Sequence, residues 1–458
     1  MTTLDDRFAP FAQRMDDAGM PPLATATFKA HYAALVAGET GEIPEDRIRP
    51  VPQLPDADDL DEALARVGED ALDQTVFVKL NGGLGTSMGL RQAKSLLPVR
   101  GDRTFLDLIA AQARTTGCPL LLMNSFATRD DTLAALRSWP ELLEGDLPVD
   151  FLQHQVPKVD RASLAPVEHA DPARTWCPPG HGDLYTALVT RGVLDRLLAA
   201  GRRYLFVSNS DNLGAVLDKR ILGWFVSQGA PFLMEAADRT AADRKGGHLA
   251  LQGDQLILRE VAQCPTDDLA QFQDHTRHRY FNTNNLWIDL QALAERIGPG
   301  QPLVLPLIRN KKTVDPRDPA SAPVFQLESA MGSAIAVFPG ARAIRVPRTR
   351  LVPVKTTADL LRTRSDATLE HDDGRLVPAT DTPPRITLDA RHYKLVGQLD
   401  AHFPDGPPSL VGCSSLRVDG EVVFGAGVVC VGDVHITAAE GTVQHIPDGA
   451  RVTGEVRL

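Results

Sequence analysis

Four short apolar runs, separated by helix-like segments, dominate the middle of the sequence. The runs are TVFVKL (75–80), PLLLMNS (119–125), RYLFVSNS (203–210) and APFLMEA (230–236). Segments with a helical pattern, such as Phe105 to Arg114 and Leu184 to Ala200, lie between them. Buried strands that alternate with helices predict an α/β domain with a mostly parallel sheet and helices on both faces. Because ligands of such sheets bind beyond the carboxyl ends of the strands, we expect the functional loops to follow these runs.

The regions on either side of these runs have different sequence patterns, so the chain is predicted to have three regions. Their bounds are 1–70, 71–372 and 373–458. The first part predicts a helix with Phe28, Tyr32 and Leu35 on one stripe, an extended linker, and a short helix from Asp59 to Val67 that Gly68 ends. A polar, Pro-rich stretch, HDDGRLVPATDTPPR (371–385), predicts a second linker before the last part.

The last part carries a six-residue apolar period. One phase of that period holds Leu410, Leu416, Val422, Val428, Val434, Ile446, Val452 and Leu458, with Glu440 as the exception. This pattern is typical of hexapeptide turns and predicts a left-handed parallel β-helix-like domain, the alternative being a small antiparallel sheet. The open end of such a coil can pair with a second copy to give a homo-oligomer, or be capped by charged or Pro-containing turns.

Charge and composition exclude several function classes. The chain has 458 residues, with 48 Lys and Arg against 59 Asp and Glu, a net charge of −11. We therefore expect neither nucleic-acid binding nor attachment to an acidic membrane, although a local basic pocket for a small anion is compatible with this balance. No apolar stretch reaches membrane-spanning length, so a cytoplasmic location is expected. Five scattered cysteines without a CxxC pair predict reduced thiols and no zinc site.

The strongest local signal is a Gly-rich loop, KLNGGLGTSMGLRQAKS (79–95), directly after a predicted strand. Such a loop lets main-chain N–H groups approach a phosphate closely. The spacing of Gly83, Gly85 and Gly89 differs from the dinucleotide fingerprint, and Ala93 stands where a Walker loop requires Gly. A tight connection without a ligand is the alternative. Lys94, at the far end of the loop, favours phosphate binding.

Two further polar loops follow apolar runs. WCPPGHGDLY (176–185) holds Gly180 and His181 in a turn. A single His is most often structural, but its Gly neighbours and the absence of a Ser or Cys partner favour ligand contact. VSNSDNLG (207–214) ends a strand in Asn209 and Asp211, a donor set that suits Mg²⁺ bound together with substrate phosphates. An Asx-type turn that caps a helix is the alternative.

Two later segments complete the candidate residues. RYFNTNNLW (279–287) places Asn282 and Asn284 close together in sequence, which suits recognition of sugar hydroxyls. The alternative is a loop of turn-forming residues without a ligand. Lys355 lies in the strand-like VPVK, where burial would be costly unless its ammonium met an anion. The alternative is a lysine whose stem is buried and whose charge reaches solvent.

Together these segments resemble the eukaryotic-type UTP–glucose-1-phosphate uridylyltransferases, also called UDP-glucose pyrophosphorylases. The matching blocks are KLNGGLGTSMG with Lys94, MNSF, WCPPGHGDLY, FVSNSDNLG, ADRKGGHLA, REVAQC, FNTNNLW, QLESAMGSAI and VPRTRLVPVKTTADLL. They occur in the family's order across roughly residues 75–365. The resemblance implies a Rossmann-like nucleotide-diphospho-sugar transferase domain with a mixed, mostly parallel sheet and a C-terminal β-helix-like domain.

The resemblance also implies roles for individual residues. UTP would lie on Leu80, Asn81, Gly82 and Gly83, with Gln153 and Gly180 beside the uracil and Asn209 near the ribose. Lys94 and Lys355 would bind phosphates, Asp211 would bind Mg²⁺, and His181 would contact the sugar phosphate. The hexose hydroxyls would be held by Glu260, Asn282 and Asn284. The chain departs from the family pattern in having RQA before Lys94 instead of KGP, FLQHQVPK instead of FNQSRYPR, and Leu351 in place of a Phe.

The implied reaction joins glucose 1-phosphate to the α-phosphorus of UTP and yields UDP-glucose and pyrophosphate. Its nucleophile is already an anion, so positioning and charge neutralisation by Lys94, Lys355 and Asp211 would suffice. Alternatives are a uridylyltransferase for other sugar 1-phosphates and a non-catalytic nucleotide-sugar sensor. Ser87 after Thr86, where N-acetylhexosamine enzymes carry Arg, disfavours that sugar class.

Overall fold

The computed structural model describes residues 3–241, 243–244, 246–316 and 318–458. Its helices are α1 (Leu4–Asp17), α2 (Pro22–Val36), α3 (Glu62–Asp70), α4 (Phe105–Thr116), α5 (Arg129–Leu136), α6 (Pro140–Leu143), α7 (Leu184–Thr190), α8 (Val193–Ala199), α9 (Lys219–Gln228), α10 (Leu269–Gln273), α11 (Leu290–Arg296), α12 (Thr357–Arg364), α13 (Ala390–Tyr393) and α14 (Val396–His402). Within the described residues, no helix has the length and apolar character to cross a membrane. Two residues of the ADRKGGHLA block, Ala242 and Lys245, lie outside the described residues.

A ten-stranded sheet forms the centre of the molecule. Its strands are β1 (Arg49–Pro50), β2 (Thr75–Asn81), β3 (Leu120–Asn124), β4 (Asp150–Leu152), β5 (Tyr204–Asn209), β6 (Phe232–Asp238), β7 (His248–Gln252), β8 (Gln255–Arg259), β9 (Tyr280–Asp289) and β10 (Arg342–Val346). Their order is β1-β7-β9-β5-β2-β3-β4, with β8 beside β7 and with β6 pairing both β9 and β10. Strands β1, β8 and β9 run opposite to the other seven strands, so the sheet is mixed, as predicted. Its pairings are four parallel and five antiparallel, so fewer are parallel than the sequence predicts.

Each of the four apolar runs forms a strand of this sheet, as predicted, because β-branched and aromatic side chains pack well on both covered faces. On one face, the rings of Phe77, Phe206 and Trp287 stack side by side across β2, β5 and β9, with centroids 5.6 and 4.4 Å apart. Helices α4 and α9 cover this face, while α7, α8 and α11 cover the other.

Two expected helix boundaries are wrong. The segment Leu184 to Ala200 is two helices, because Gly192 adopts a left-handed φ of +65° that interrupts the first. Gly68 lies inside α3 instead of ending it. A Cβ on Gly68 would come within 1.9 Å of the Lys219 oxygen, and one on Gly223 within 1.8 Å of the Leu64 oxygen. These glycines therefore allow α3 and α9 to pack with their backbones in contact.

The N-terminal region is a helical pair followed by an extended segment. Phe28, Tyr32 and Leu35 are buried in a cluster between α1 and α2, as the stripe predicts. The segment expected to be a plain linker contributes β1, which extends the central sheet by pairing with β7.

The C-terminal region contains two small parallel sheets. Its strands are β11 (Arg385–Leu388), β12 (Cys413–Asp419), β13 (Glu421–Phe424), β14 (Val429–Thr437), β15 (Val443–Ile446) and β16 (Arg451–Arg457). One sheet has the order β11-β12-β14-β16 and the other pairs β13 with β15. The six-residue phase from Leu410 to Val452 is buried except at Glu440, and its side chains join the apolar cluster beneath the central sheet.

Candidate active site

A cavity of about 410 Å³ lies at the carboxyl ends of β2, β3, β4 and β5, where the topology of the sheet predicts a ligand site. Eleven residues expected from the sequence line it, namely Leu80, Gly82, Gly83, Lys94, Gln153, Gly180, His181, Asn209, Asp211, Asn284 and Lys355. Sequence reasoning missed Met123, Pro178 and Ser210, which also line it. Their position next to strand ends within the matching blocks was the available signal.

The Gly-rich loop forms one wall of the cavity. Gly85 and Gly89 have φ angles of +67° and +81°, which a residue with a Cβ rarely adopts. A Cβ on Gly82 would lie 3.2 Å from the side-chain amide of Gln153, so that position has little room for a side chain. The main-chain N–H of Lys94 donates to the Gly83 oxygen at 3.0 Å and folds the loop back on itself. This fold brings Lys94 to the cavity.

Asp211 joins the two lysines at the centre of the site. Its Oδ2 accepts from the Lys94 Nζ at 2.7 Å and from the Lys355 Nζ at 2.6 Å. Lys94 also donates to the Val354 oxygen. Burial opposes ionisation of Asp211, but the ammoniums of Lys355 and Lys94 outweigh it and hold the pKa of the carboxyl below its usual value. Two cations and one carboxylate give a site with net positive charge.

The segments that carry Asp211 and Lys355 are bound to one another. The main-chain N–H of Val354 donates to the Asp211 oxygen at 3.1 Å, and the N–H of Val352 donates to Oδ1 of Asn212 at 2.9 Å. Thr356 caps helix α12 with its side chain. Lys355 therefore precedes a fixed helix start and lies opposite the loop that follows β5.

Asp211 also fits a divalent cation. Its Oδ1 is buried and has no hydrogen-bond partner, which leaves a carboxylate oxygen available. No cluster of three or more His, Cys, Asp or Glu side chains that could hold a metal occurs in the part of the chain that the structure describes. Mg²⁺ commonly takes one or two carboxylates and completes its coordination with water and substrate phosphates. A single carboxylate next to a phosphate-binding loop fits this pattern.

His181 faces the same cavity from the turn before α7. Its Nδ1 accepts from the main-chain N–H of Met331 at 3.0 Å, so the neutral ring carries its proton on Nε2. Burial and then the Lys355 ammonium lower the pKa of His181 to about 4. The ring is therefore a neutral hydrogen-bond donor at physiological pH and is unsuited to act as a general base near pH 7.

The expected sugar-binding residues lie in a row that starts at the cavity. Asn284 lines the cavity, with a left-handed φ of +58° inside β9. Asn282 donates to its side-chain oxygen at 2.8 Å. The N–H of Asn282 donates to the Gly247 oxygen at 3.0 Å, and the N–H of Gly247 bonds the Glu260 carboxylate. Burial raises the pKa of Glu260 to about 7, against the lowering effect of that N–H.

Asn81 has a different environment from the other loop residues. Its side chain is buried and donates to Oδ1 of Asn124 at 2.8 Å and to the Thr132 hydroxyl at 2.9 Å. These bonds hold the ends of β2 and β3 together below the cavity.

A buried polar network that sequence reasoning missed supports the floor of the site. Glu235 accepts two hydrogen bonds of 2.7 Å from the Arg350 guanidinium, and further bonds from Asn285 and Trp287. The Arg350 oxygen accepts from Asn212 at 3.0 Å, directly after Asp211. Lys79 donates to the oxygens of Asn212 and Ala215, and burial together with Arg350 lowers its pKa to about 7. A carboxylate inside the apolar run APFLMEA was the signal for this network.

A second, larger cavity of about 670 Å³ lies at the opposite edge of the sheet. Its lining includes Cys118 and Leu120 at the start of β3 and Arg202 before β5. None of the site residues expected from the sequence contributes to it. Size alone therefore does not identify the functional cavity, whereas the charged residues at the strand ends do.

Comparison with known proteins identifies relatives that span most of the chain. A family profile described as UTP–glucose-1-phosphate uridylyltransferase matches residues 25–430. The potato (Solanum tuberosum) protein of that name is 40% identical over 397 residues, which span 84% of this chain and 81% of the relative. The yeast (Saccharomyces cerevisiae) protein of that name is 41% identical over 402 residues, spanning 84% and 79%.

Solved structures agree over the whole chain. The UDP-glucose pyrophosphorylase of Leishmania major, described in open and closed structures, has a TM-score of 0.93 at 43% identity and covers 100% of both chains. A variant of that protein in complex with UDP-glucose has a TM-score of 0.92 at 42% identity, again with full coverage. The Trypanosoma brucei protein has a TM-score of 0.87 at 41% identity and 99% coverage. The chain therefore belongs to the UTP–glucose-1-phosphate uridylyltransferase family.

Proposed function

We propose that the chain converts UTP and glucose 1-phosphate into UDP-glucose and pyrophosphate, in a reversible reaction. One observation carries this assignment. Asp211 holds the ammoniums of Lys94 and Lys355 within 2.7 Å of one carboxylate oxygen, in a cavity whose wall is a Gly-rich loop. Two ammonium groups that share one carboxylate and line an open cavity suit the recognition of a polyphosphate.

The chemistry follows from the charges of the substrates. A phosphate oxygen of glucose 1-phosphate attacks the α-phosphorus of UTP, and the bond from that phosphorus to the bridging oxygen of the β-phosphate breaks. Pyrophosphate leaves with the electron pair. Because the attacking oxygen is already anionic, no general base is required. The two substrates repel one another, so the enzyme must hold them in line and neutralise charge.

The two lysines supply this neutralisation. When phosphates enter the cavity, the ammoniums exchange the Asp211 oxygen for phosphate oxygens. We assign Lys94 to the triphosphate and the leaving pyrophosphate, because it lies at the end of the Gly-rich loop. We assign Lys355 to the charge that develops around the α-phosphorus, and His181 to the sugar phosphate through its Nε2–H.

We also propose that the reaction depends on Mg²⁺ held by Asp211. The unpartnered, buried Oδ1 supports this assignment. The cation would supply positive charge that offsets the negative charge of the substrate phosphates. Asp211 would then hold the metal with one oxygen after releasing the lysines from the other.

The remaining residues are assigned to the base and the sugars. Leu80, Gly82 and Gly83 would follow the nucleotide, with Gln153 and Gly180 at the uracil and Asn209 at the ribose. Asn81 would support this wall through its bonds below the cavity. Asn284, Asn282 and Glu260 would hold the hexose hydroxyls, and their connected hydrogen bonds support a shared role. A protonated Glu260 can donate to a hydroxyl, whereas its carboxylate can only accept.

For the C-terminal part, we propose a left-handed parallel β-helix-like domain over residues 373–458, after a catalytic domain over 71–372 and an N-terminal region over 1–70. The parallel pairings of β11 to β16 and the buried six-residue period support it. Strand β16 ends its sheet, so one of its edges is available to a second copy. Size-exclusion chromatography with light scattering tests this homo-oligomer.

Pyrophosphate release from UTP and Mg²⁺, measured with a panel of sugar 1-phosphates, tests the proposed function. We expect release with glucose 1-phosphate and stoichiometric UDP-glucose. Comparable turnover with several sugars would instead indicate the broader uridylyltransferase, for which Leu351 in place of the family's Phe is the supporting observation. Nucleotide binding without release for any sugar would indicate a sensor.

A further inference from the structure

Two loops line opposite parts of the cavity, and the residues that face the cavity do not lie in strands. Gln153 follows the end of β4 at Leu152. Gly180 and His181 precede α7, and a Cβ on Gly180 would come within 2.4 Å of the Ser329 oxygen. Main-chain bonds to Ser329 hold the turn in place, and Val156–Pro157 pairs with Trp176–Cys177 a few residues beyond Gln153. Gln153 itself lies before that pairing, where one further contact joins its segment to the turn.

One buried pair makes that contact. The Asp183 Oδ2 accepts from the main-chain N–H of His154 at 2.6 Å, and its Oδ1 lies 2.8 Å from the His154 Nδ1. Because a carboxylate only accepts, Nδ1 carries a proton. The other ring nitrogen lies 3.0 Å from the Thr190 hydroxyl on α7. His154 and Asp183 are 1% and 7% exposed, so the pair is screened little by solvent.

We propose that His154 and Asp183 are a positioning pair that holds Gln153 against the Gly180–His181 turn, which Ser329 and Met331 fix independently, and thereby determines the affinity and base selectivity for UTP. His154 lies next to Gln153 in sequence, and Asp183 lies two residues after His181. A bond between them ties the two loops at one point. This inference rests on the proposed function, since it assigns the uracil to Gln153 and Gly180.

The isosteric variants His154→Asn and His154→Gln separate the two ring nitrogens. Asn places its NH₂ near the position of Nδ1 and keeps the Asp183 bond, whereas Gln reaches the position of Nε2 and leaves Oδ1 of Asp183 without a partner. An unsatisfied buried carboxylate oxygen displaces the loop or costs binding energy. We expect His154→Gln to raise the KM for UTP by about tenfold or more, and His154→Asn by less than about threefold.

The remaining readouts distinguish positioning from general destabilisation. In both variants, kcat and the KM for glucose 1-phosphate should stay within about threefold of wild type, whereas the ratio of kcat/KM for UTP to that for CTP should fall in His154→Gln only. This ratio does not depend on the folded fraction. The matched control is His31→Ala, which removes a buried histidine that bonds the Leu305 oxygen in the same packing region. It should lower the Tm without changing either KM.

Equal KM values for UTP in the Asn and Gln variants would overturn the proposal, as would a fall in kcat at unchanged KM. Calorimetric titration of UTP into wild type and both variants separates this inference from the proposed function. If wild type binds UTP but releases no pyrophosphate, the proposed function fails. The order of UTP affinities, with wild type and Asn above Gln, still tests the positioning pair.

Discussion

Lys355→Met removes one ammonium from the centre of the site and keeps the length of its stem. The Lys355 side chain is 57% exposed and pairs with Asp211 at 2.6 Å. An ion pair with one exposed partner contributes about 0–1 kcal/mol to folding, and Lys94 still pairs with Asp211 in the variant. We therefore expect the free energy of unfolding to change by less than about 1 kcal/mol. Loss of one preorganised donor should lower kcat about 10²–10³-fold, which corresponds to an increase of about 2.7–4 kcal/mol in the activation free energy.

Lys219→Met is the matched control. Lys219 is 45% exposed and pairs with Glu69 at the start of α9, away from the cavity. Pyrophosphate release at saturating UTP and glucose 1-phosphate measures kcat, and urea unfolding at pH 7 measures stability. The control should show a similar small change in stability with unchanged kcat. A Lys355→Met enzyme that keeps kcat within threefold of wild type, or a control that loses as much activity, would refute the reasoning.

Three further predictions test other parts of the site. Lys94→Arg and Lys355→Arg should lower kcat, because a planar guanidinium directs its donors differently from an ammonium. The loss should be smaller than the ~10²-fold loss expected when a donor is removed, and steady-state turnover measures it. Asn284→Gly should unfold at nearly the same urea concentration as the wild type, whereas Asn284→Ala should have a free energy of unfolding lower by about 1 kcal/mol, because Ala is strained at the left-handed φ. Both variants should bind the sugar substrate more weakly. The raised pKa of Glu260, about 7 against an ordinary 4.5, means that stability falls as pH rises between those values. Glu260→Gln should remove that dependence and be the more stable form above pH 7, by on the order of 1–3 kcal/mol in urea unfolding.

The fold was predictable where one physical pattern dominates. Apolar runs buried on both faces predict β2, β3, β5 and β6, because few other structures cover so many consecutive apolar residues. Gly68 was misassigned because a glycine that ends a helix and a glycine that lets two helices touch look alike in sequence. Its neighbour in α9, Gly223, lies far away along the chain, so only the tertiary structure shows their contact.

The candidate site was predictable at the level of residues but not of their connections. Gly-rich and polar segments after strands identified most of the cavity lining, because strand direction brings those segments to one edge. The sequence did not indicate that Lys94 and Lys355 share Asp211, since the three are more than a hundred residues apart. The bond between His154 and Asp183 likewise depends on how two loops meet.

Exchange of labelled pyrophosphate into UTP tests the central claim most directly, since it reports both the reaction and the absence of a nucleophile on the protein. With Mg²⁺, UTP and glucose 1-phosphate present, the label should enter UTP through reversal of UDP-glucose formation. Without glucose 1-phosphate, no label should enter. Exchange without the sugar would indicate a covalent uridylyl-enzyme, and no exchange under either condition would contradict the proposed function.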